Sequence, residues 1–322
     1  MKKYYTRSDL AIESLAYAVK DKDYKHHIET DHDVTIETFE ILQTSEYYPH
    51  EIGQYVEMSF VDYQHIDILI QHFQKHLTRF IKSLTNKVDP LILYVGLGNE
   101  ILTSDAIGPR TLHHIRATHH YSLDERHHNQ YYDTMCIAPG VMAHTGMETA
   151  DVVECLVREY QPDVVIAIDA LCAQSYEKIC HVIQMNNVGI YPGSGIGNHR
   201  KSISASTMGV PVIAIGVPTV IHASSLVSDV YDILEGYFKE SMNPSSALKV
   251  GKRKKYEGRL NNVQRQLLLG EIGQLTKQKR IQLFNEVLNP IDHQFIMSDK
   301  QIDFDIEILS KTLSQAINEL KY

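Results

Sequence analysis

The sequence predicts an α/β fold: a mainly parallel, twisted sheet flanked by helices, with added segments at both ends. Three observations carry that reading. Leu91–Val95, Thr134–Ala138, Val164–Ile168 and Val212–Val217 are short apolar runs, the pattern of strands covered on both faces. Stretches of helical character lie between them, and strands alternating with helices imply right-handed crossovers. The chain has 322 residues and is 43% apolar, enough to bury a sizeable core.

Taken in order, residues 1 to about 85 are polar and acid-leaning. Within them Val34–Ile41 alternates apolar and polar, as a half-buried strand does. Ile66–Leu84 has apolar residues at helical spacing, including Ile66, Leu69, Ile70, Phe73, Leu77, Phe80, Ile81 and Leu84. The character changes at Pro90, where the first apolar strand begins. Pro109 to about His120 reads as a helix with proline at its first position. Met147–Tyr160 reads as another, with capping-box spacing from Thr145 to Glu148 and an apolar stripe at Val152, Val153, Leu156 and Val157. After Tyr237, Asn243-Pro244-Ser245-Ser246 reads as a loop and Gly251–Lys255 as a solvated basic run. Helices are expected over about Asn262–Asn285 and from Asp303 to the end.

Composition excludes several classes. The formal charge is -9, which disfavours direct nucleic-acid binding because phosphate is repelled. The cysteines, Cys136, Cys155, Cys172 and Cys180, show no C-x-x-C spacing and indicate a reducing, cytoplasmic compartment. The N-terminus lacks the apolar core of a secretory signal, and no apolar run approaches the ~20 residues of a membrane span. No membrane partner is expected.

Two glycine-rich segments fail the nucleotide-binding tests. Gly96-Leu97-Gly98-Asn99 follows a strand, but the third fingerprint glycine is replaced by Ile101. Gly193-Ser194-Gly195-Ile196-Gly197-Asn198 lacks the Lys-Ser or Lys-Thr of a P-loop. It is not a nucleophile elbow either, since Pro192 and Ile196 stand where glycines are needed. It reads as a loop near an active cleft. The zinc-protease H-E-x-x-H pattern is absent, and His113, His114, His119, His120, His127 and His128 read as a polar surface.

The candidate chemistry rests on acids. Asp169 follows the apolar run Val164–Ile168, at the end of a buried strand where ligand crevices open. Asp105 lies in the loop after Leu91–Val95. If both strands are central and parallel, both carboxylates reach one edge. There they can divide a proton between a base for water and an acid, or hold a divalent metal. A helix cap explains Asp105 equally well, and a turn-closing hydrogen bond explains Asp169. Glu148, explained by its capping position, and His222, after Pro218-Thr219-Val220, are weaker candidates beside them.

Together these segments resemble the germination proteases of spore-forming bacteria, endopeptidases that degrade small acid-soluble spore proteins. The similarity lies in Gly96–Asn99 through Asp105–Pro109, Ala138–Met142, Thr145–Thr149, Ala167–Leu171, Gly189–Asn198, Val212–Val220, Leu269–Gly273 and Glu286–Pro290. The resemblance implies a fold related to the hydrogenase-maturation endopeptidases, a homotetramer and a self-cleaving zymogen in the forespore. It also implies an acid-protease mechanism at Asp105 and Asp169 with no cofactor. The maturation enzymes hold a metal with two acids and a histidine, and no histidine here is placed as that third ligand. In the family the cut sites share an acid, a large apolar residue, Ala, and a further acid. Ser8-Asp9-Leu10-Ala11-Ile12-Glu13 fits, so cleavage is expected between Asp9 and Leu10; an ordinary helix start with Ser8 as its cap accounts for the same residues. That leaves residues 1–9 as propeptide and 10–322 as one peptidase domain, with a core over about 90–237 and a helical extension over about 238–322. A metal-dependent maturation-type endopeptidase and a non-enzymatic ligand-binding module are the alternatives.

Overall fold

The computed structural model describes residues 8–15, 24–42, 52–193, 201–242, 256, 258–288 and 295–322. Residues 194–198 of the second glycine segment, the expected loop at 243–246, the basic run 251–255 and the pair 289–290 lie outside them. The described chain forms two compact units. The larger comprises Ser8–Ala173, Glu177–Val220 and Ser298–Tyr322, and the smaller Gln174–Tyr176 and Ile221–Met297.

The larger unit is built on β1 (Tyr24–Asp31), β2 (Val34–Ile41), β3 (Gly53–Phe60), β4 (Leu91–Gly96), β5 (Asp133–Ile137), β6 (Val164–Ala173), β7 (Val182–Asn186) and β8 (Val212–His222). Their order is β1-β2-β3-β7-β8-β6-β4-β5. The sheet is mixed rather than mainly parallel. β4 pairs in parallel with β5 and β6, whereas β1–β2, β2–β3, β3–β7 and β7–β8 are antiparallel pairs. The reason lies before Pro90. The two residues between β1 and β2, with His32 at φ +55°, close a hairpin, and hairpins make antiparallel pairs without a crossover helix. The sheet therefore begins well before residue 90. β2 occupies the expected span, burying Val34, Ile36, Phe39 and Ile41.

Helix Ile66–Leu84 matches its periodicity, burying Leu69, Phe73, Leu77 and Phe80. Helix Ile302–Asn318 packs on it and on helix Ile107–Leu112. Helix Thr149–Tyr160 lays Ala150, Val153 and Val157 on Leu93 and Val95 of β4 and Val165 and Ala167 of β6.

Two expectations are corrected. The helix expected over Pro109–His120 spans Ile107–Leu112, with proline third. It stops early because the amides of Thr118 and His119 both donate to the Thr134 carbonyl, a tertiary bond that competes with helix continuation. The Thr145–Glu148 capping box does not form. Thr145 closes a short helix, Met142–Thr145, and its hydroxyl accepts from the Met147 amide, leaving Glu148 itself as the helix N-cap.

In the smaller unit, helices Ala223–Ser241, Asn262–Gln274 and Lys277–Leu288 accompany β9 (Ile296–Met297), which pairs with Ile221 and His222 at the end of β8. The helical material expected over Asn262–Asn285 is divided at Leu275, which is extended, and the first of these helices is kinked at Gly270, φ +59°. Buried Glu235 accepts from the Leu260 amide at 2.9 Å and from Arg265 Nη2 at 2.7 Å, joining the first two helices. Lys277 bonds Asp229 at 2.6 Å, joining the third to the first.

Candidate functional site

Asp105 is placed by glycines. β4 is apolar to its end at Gly96, and the chain then turns through Gly98 at φ +110°, a conformation open to glycine and strained for L side chains. A Cβ at Gly98 would stand 2.0 Å from the Asp105 carbonyl oxygen and 3.0 Å from its Oδ1, so the aspartate lies directly over this glycine. The Asn99 amide donates to Asp105 Oδ2 at 2.8 Å, and the Asp105 amide donates to the Leu102 carbonyl at 2.7 Å. The single 3-10 turn Thr103–Asp105 packs against β6. Thr219 of β8, fully buried, donates to the Ser104 carbonyl at 2.5 Å. The next turn brings Gly108 against the ends of β4 and β6, where a Cβ would stand 2.3 Å from the Leu97 oxygen and 2.4 Å from the Ile168 oxygen.

Asp169 follows that same Ile168. The β4–β6 register ends at Gly96 opposite Ile168, so Asp169 is the first residue of β6 beyond its neighbour's end. It does not end its own strand, as the apolar run suggested, because β6 continues to Ala173. The residue is 4% exposed, and its carboxylate accepts from the Ala170 amide at 2.9 Å. The structure thus brings the turn of Asp105 and the strand position of Asp169 to one edge, either side of the close Gly108–Ile168 approach.

Half-buried Glu148 begins the helix that leads back from β5 to β6, and its buried Oε1 has no hydrogen-bond partner among the described residues. The crossover places it at the carboxyl-end edge of the parallel strands. His222 closes β8, caps helix Ala223–Ser241 and pairs with Ile296 inside the smaller unit. The six histidines between 113 and 128 are all exposed, as expected. Among the described residues no three His, Cys, Asp or Glu side chains gather as a metal centre requires.

Sequence reasoning singled out Asp9 and Leu10 but not what holds them. The Asp9 amide donates to the Cys172 carbonyl at 3.0 Å, and Asp9 Oδ2 accepts from the Cys172 amide at 2.9 Å. The segment is therefore laid beside β6, three residues along from Asp169. Leu10 is fully buried with Leu171, Ala173 and Val182. Gln184 Oε1 accepts from the Ala11 amide at 2.7 Å, and its Nε2 donates to the Asp9 carbonyl at 3.2 Å. A lone glutamine in an apolar strand carries no signal in one sequence.

Glu57 lies across from Gln184 in the β3–β7 register. It is 1% exposed and bonds Lys178 Nζ at 2.5 Å. Burial pushes its carboxyl up to about 7, against the pull of Lys178 and with help from Glu13 and Glu37. A folded value above the unfolded one means that the protonated form suits the fold. The stabilisation is complete below about pH 4.5 and is lost as pH rises through about 7. At about 1.4 kcal/mol per pH unit, the difference is about 3 kcal/mol. Between pH 4.5 and 7.5 the wild type should lose about that much more stability than Glu57→Gln, read by urea denaturation. Equal slopes for the two proteins would refute this.

The chain was compared with known proteins. The family model for germination protease matches residues 11–321. A germination protease of Priestia megaterium is 35% identical, covering 99% of this chain and 94% of the relative. One from Bacillus subtilis is 35% identical over 98% of this chain and 93% of the relative. One from a Geobacillus species is 39% identical over 76% and 70%.

Proposed function

This chain belongs to the germination protease family, a family of peptidases, and from that premise we propose that it is a two-aspartate endopeptidase made as a zymogen that cuts its own Asp9–Leu10 bond. The carrying observation is the seat of that bond. An acid–apolar–Ala segment is docked on β6, the strand that bears Asp169, with the turn of Asp105 packed on the same strand.

The reaction needs a base, an acid and a bound water. One carboxylate removes a proton from water as its oxygen attacks the Asp9 carbonyl carbon. The other carboxyl delivers a proton to the Leu10 nitrogen as the C–N bond breaks. The products are an Asp9 carboxylate and a free Leu10 amine. Holding the two aspartates on a β-edge by backbone contacts keeps them oriented at little entropic cost. The protein substrates, on this reading, are the small acid-soluble spore proteins, cut during germination by a homotetramer in the spore core. The relatives' name supplies the germination role. No helix among the described residues is long and apolar enough to cross a membrane.

The test is intact mass after incubation at mildly acidic pH, with and without chelator, for wild type, Asp105→Asn and Asp169→Asn. Loss of residues 1–9 in wild type alone, indifferent to chelator, is expected. Loss blocked by chelator would transfer the reading to the metal-dependent maturation type. Cleavage persisting in both variants would remove the two aspartates from the site.

A further inference from the structure

We propose that the Leu10 pocket and the Gln184 side chain form the subsite with which this protein reads the apolar residue following the cut acid in its protein substrates. The proposal rests on the endopeptidase reading above and names the residues that set its specificity.

The segment bends at Asp9 and enters a short helix, Ala11–Leu15, at once, so it is held at Asp9 and Leu10 by a few main-chain bonds and by a pocket for the side chain. The Asp9 amide and carboxylate both bond Cys172 of β6, at 3.0 and 2.9 Å. Gln184 forks around the next residue. It donates to the carbonyl before Leu10 and accepts from the amide after it, at 3.2 and 2.7 Å. That fork admits one residue between its two bonds, and so sets which side chain enters the pocket. The pocket is lined by Leu171, Ala173 and Val182, with Ile190 at its margin, and it leaves Leu10 fully buried. The following residue, Ala11, is also fully buried, against Phe39, Ile41 and Tyr55, where the Phe39 and Tyr55 rings stack at 5.2 Å. A larger side chain would have to displace those stacked rings.

Each position thus has its own physical reader. The acid meets a backbone amide, the large apolar residue meets a pocket, and the small residue meets a packed aromatic wall. Gln184 and Cys172 contact the visiting main chain, and the Cys172 amide also takes the acid's carboxylate. None of these contacts depends on the segment belonging to the same chain. A substrate segment of acid–apolar–small pattern fits the same groups once residues 8–13 have left them. While tethered, those residues compete at the high effective concentration that a short linkage confers.

The experiment gives the full chain, after acid incubation, a peptide spanning residues 6–15 of its own sequence, with Leu10 kept or replaced by Ala, Phe or Lys. Wild type should prefer the Leu peptide over the Ala peptide by about ten- to a hundredfold in kcat/KM, the selectivity of an apolar pocket. Lys should be worse still. Ala173→Leu, which fills the pocket, should invert the Leu–Ala order, and Val182→Ala, which enlarges it, should move the preference toward Phe. Either variant suffices if the other fails to fold. Gln184→Ala should lower kcat/KM about tenfold for every peptide, chiefly through KM. An unchanged order of peptides in both pocket variants would overturn the proposal.

Hydrogen exchange at the Ala11 amide in uncut Asp105→Asn protein supplies a readout free of turnover. Its protection should fall when Gln184→Ala is added and should persist with Gln184→Glu, which still accepts. If wild type cuts none of the peptides, the endopeptidase reading fails on that result alone. Exchange then decides the subsite: protection untouched by Gln184→Ala would overturn it.

Discussion

Asp169→Asn is expected to lower kcat/KM for peptide cleavage by about a thousandfold, and Asp105→Asn by a similar factor, within the range that a positioned acid or base contributes. That corresponds to about 4 kcal/mol of lost transition-state stabilisation. The substitutions isolate chemistry from folding. Asparagine at 169 keeps a carbonyl oxygen for the Ala170 amide, and asparagine at 105 keeps one for the Asn99 amide. Both variants should unfold within about 1 kcal/mol of wild type, since the surrounding bonds survive. Steady-state kinetics beside urea denaturation checks both halves. A tenfold loss or less in both variants would remove the aspartates from the chemical step.

The largest structural effect is expected at Gly108. A Cβ there meets the Leu97 oxygen at 2.3 Å, the Ile168 oxygen at 2.4 Å and the Leu97 nitrogen at 2.6 Å. All three are backbone atoms at the joined ends of β4 and β6, so no side chain can swing aside. Gly108→Ala should therefore cost about 3 kcal/mol or more, at the upper end of overpacking penalties. It should also cost activity beyond its effect on stability, because relief requires helix Ile107–Leu112 to back away and take the Asp105 turn with it. Gly209→Ala is the control. Its φ is +73° with nothing within 4 Å of the added methyl, so only the left-handed backbone penalty of about 1–2 kcal/mol applies. Equal losses in the two variants would show that the Gly108 contact is not what seats the helix.

Legibility followed the strength of local periodicity. Val34–Ile41 and Ile66–Leu84 were readable to the residue because one face of each is buried and the other is not. β1 was not, because almost all its side chains face solvent and no alternation is required of it. β3 hid behind buried Glu57, and the second half of β6 behind buried Asp169: a polar residue with local partners interrupts an apolar run without ending the strand. The mixed sheet followed from those omissions. At the candidate site, the two proposed aspartates were legible from the strand ends they follow, and the proposed Asp9–Leu10 cut only from its similarity to family cut sites. Cys172 and Gln184 were invisible, since one acts through its main chain and the other has meaning only beside a segment 173 residues away in sequence.

The burial of Leu10 carries a consequence for direction. In the intact chain its amide donates to the Ser8 hydroxyl at 3.1 Å, and the residue has no exposed surface. The proposed scission between Asp9 and Leu10 would turn that neutral amide into an ammonium group and break the covalent link to Ser8, whose hydroxyl also bonds Glu13. Removing that charge from water beside the apolar residues around Leu10 is costly. The new terminus is therefore expelled from the place that held it, and rejoining the bond would require burying it again. The pocket that receives the segment becomes, after one hydrolysis, hostile to its own product. On the proposed cut, maturation would act as a ratchet, emptying the proposed recognition site as it completes.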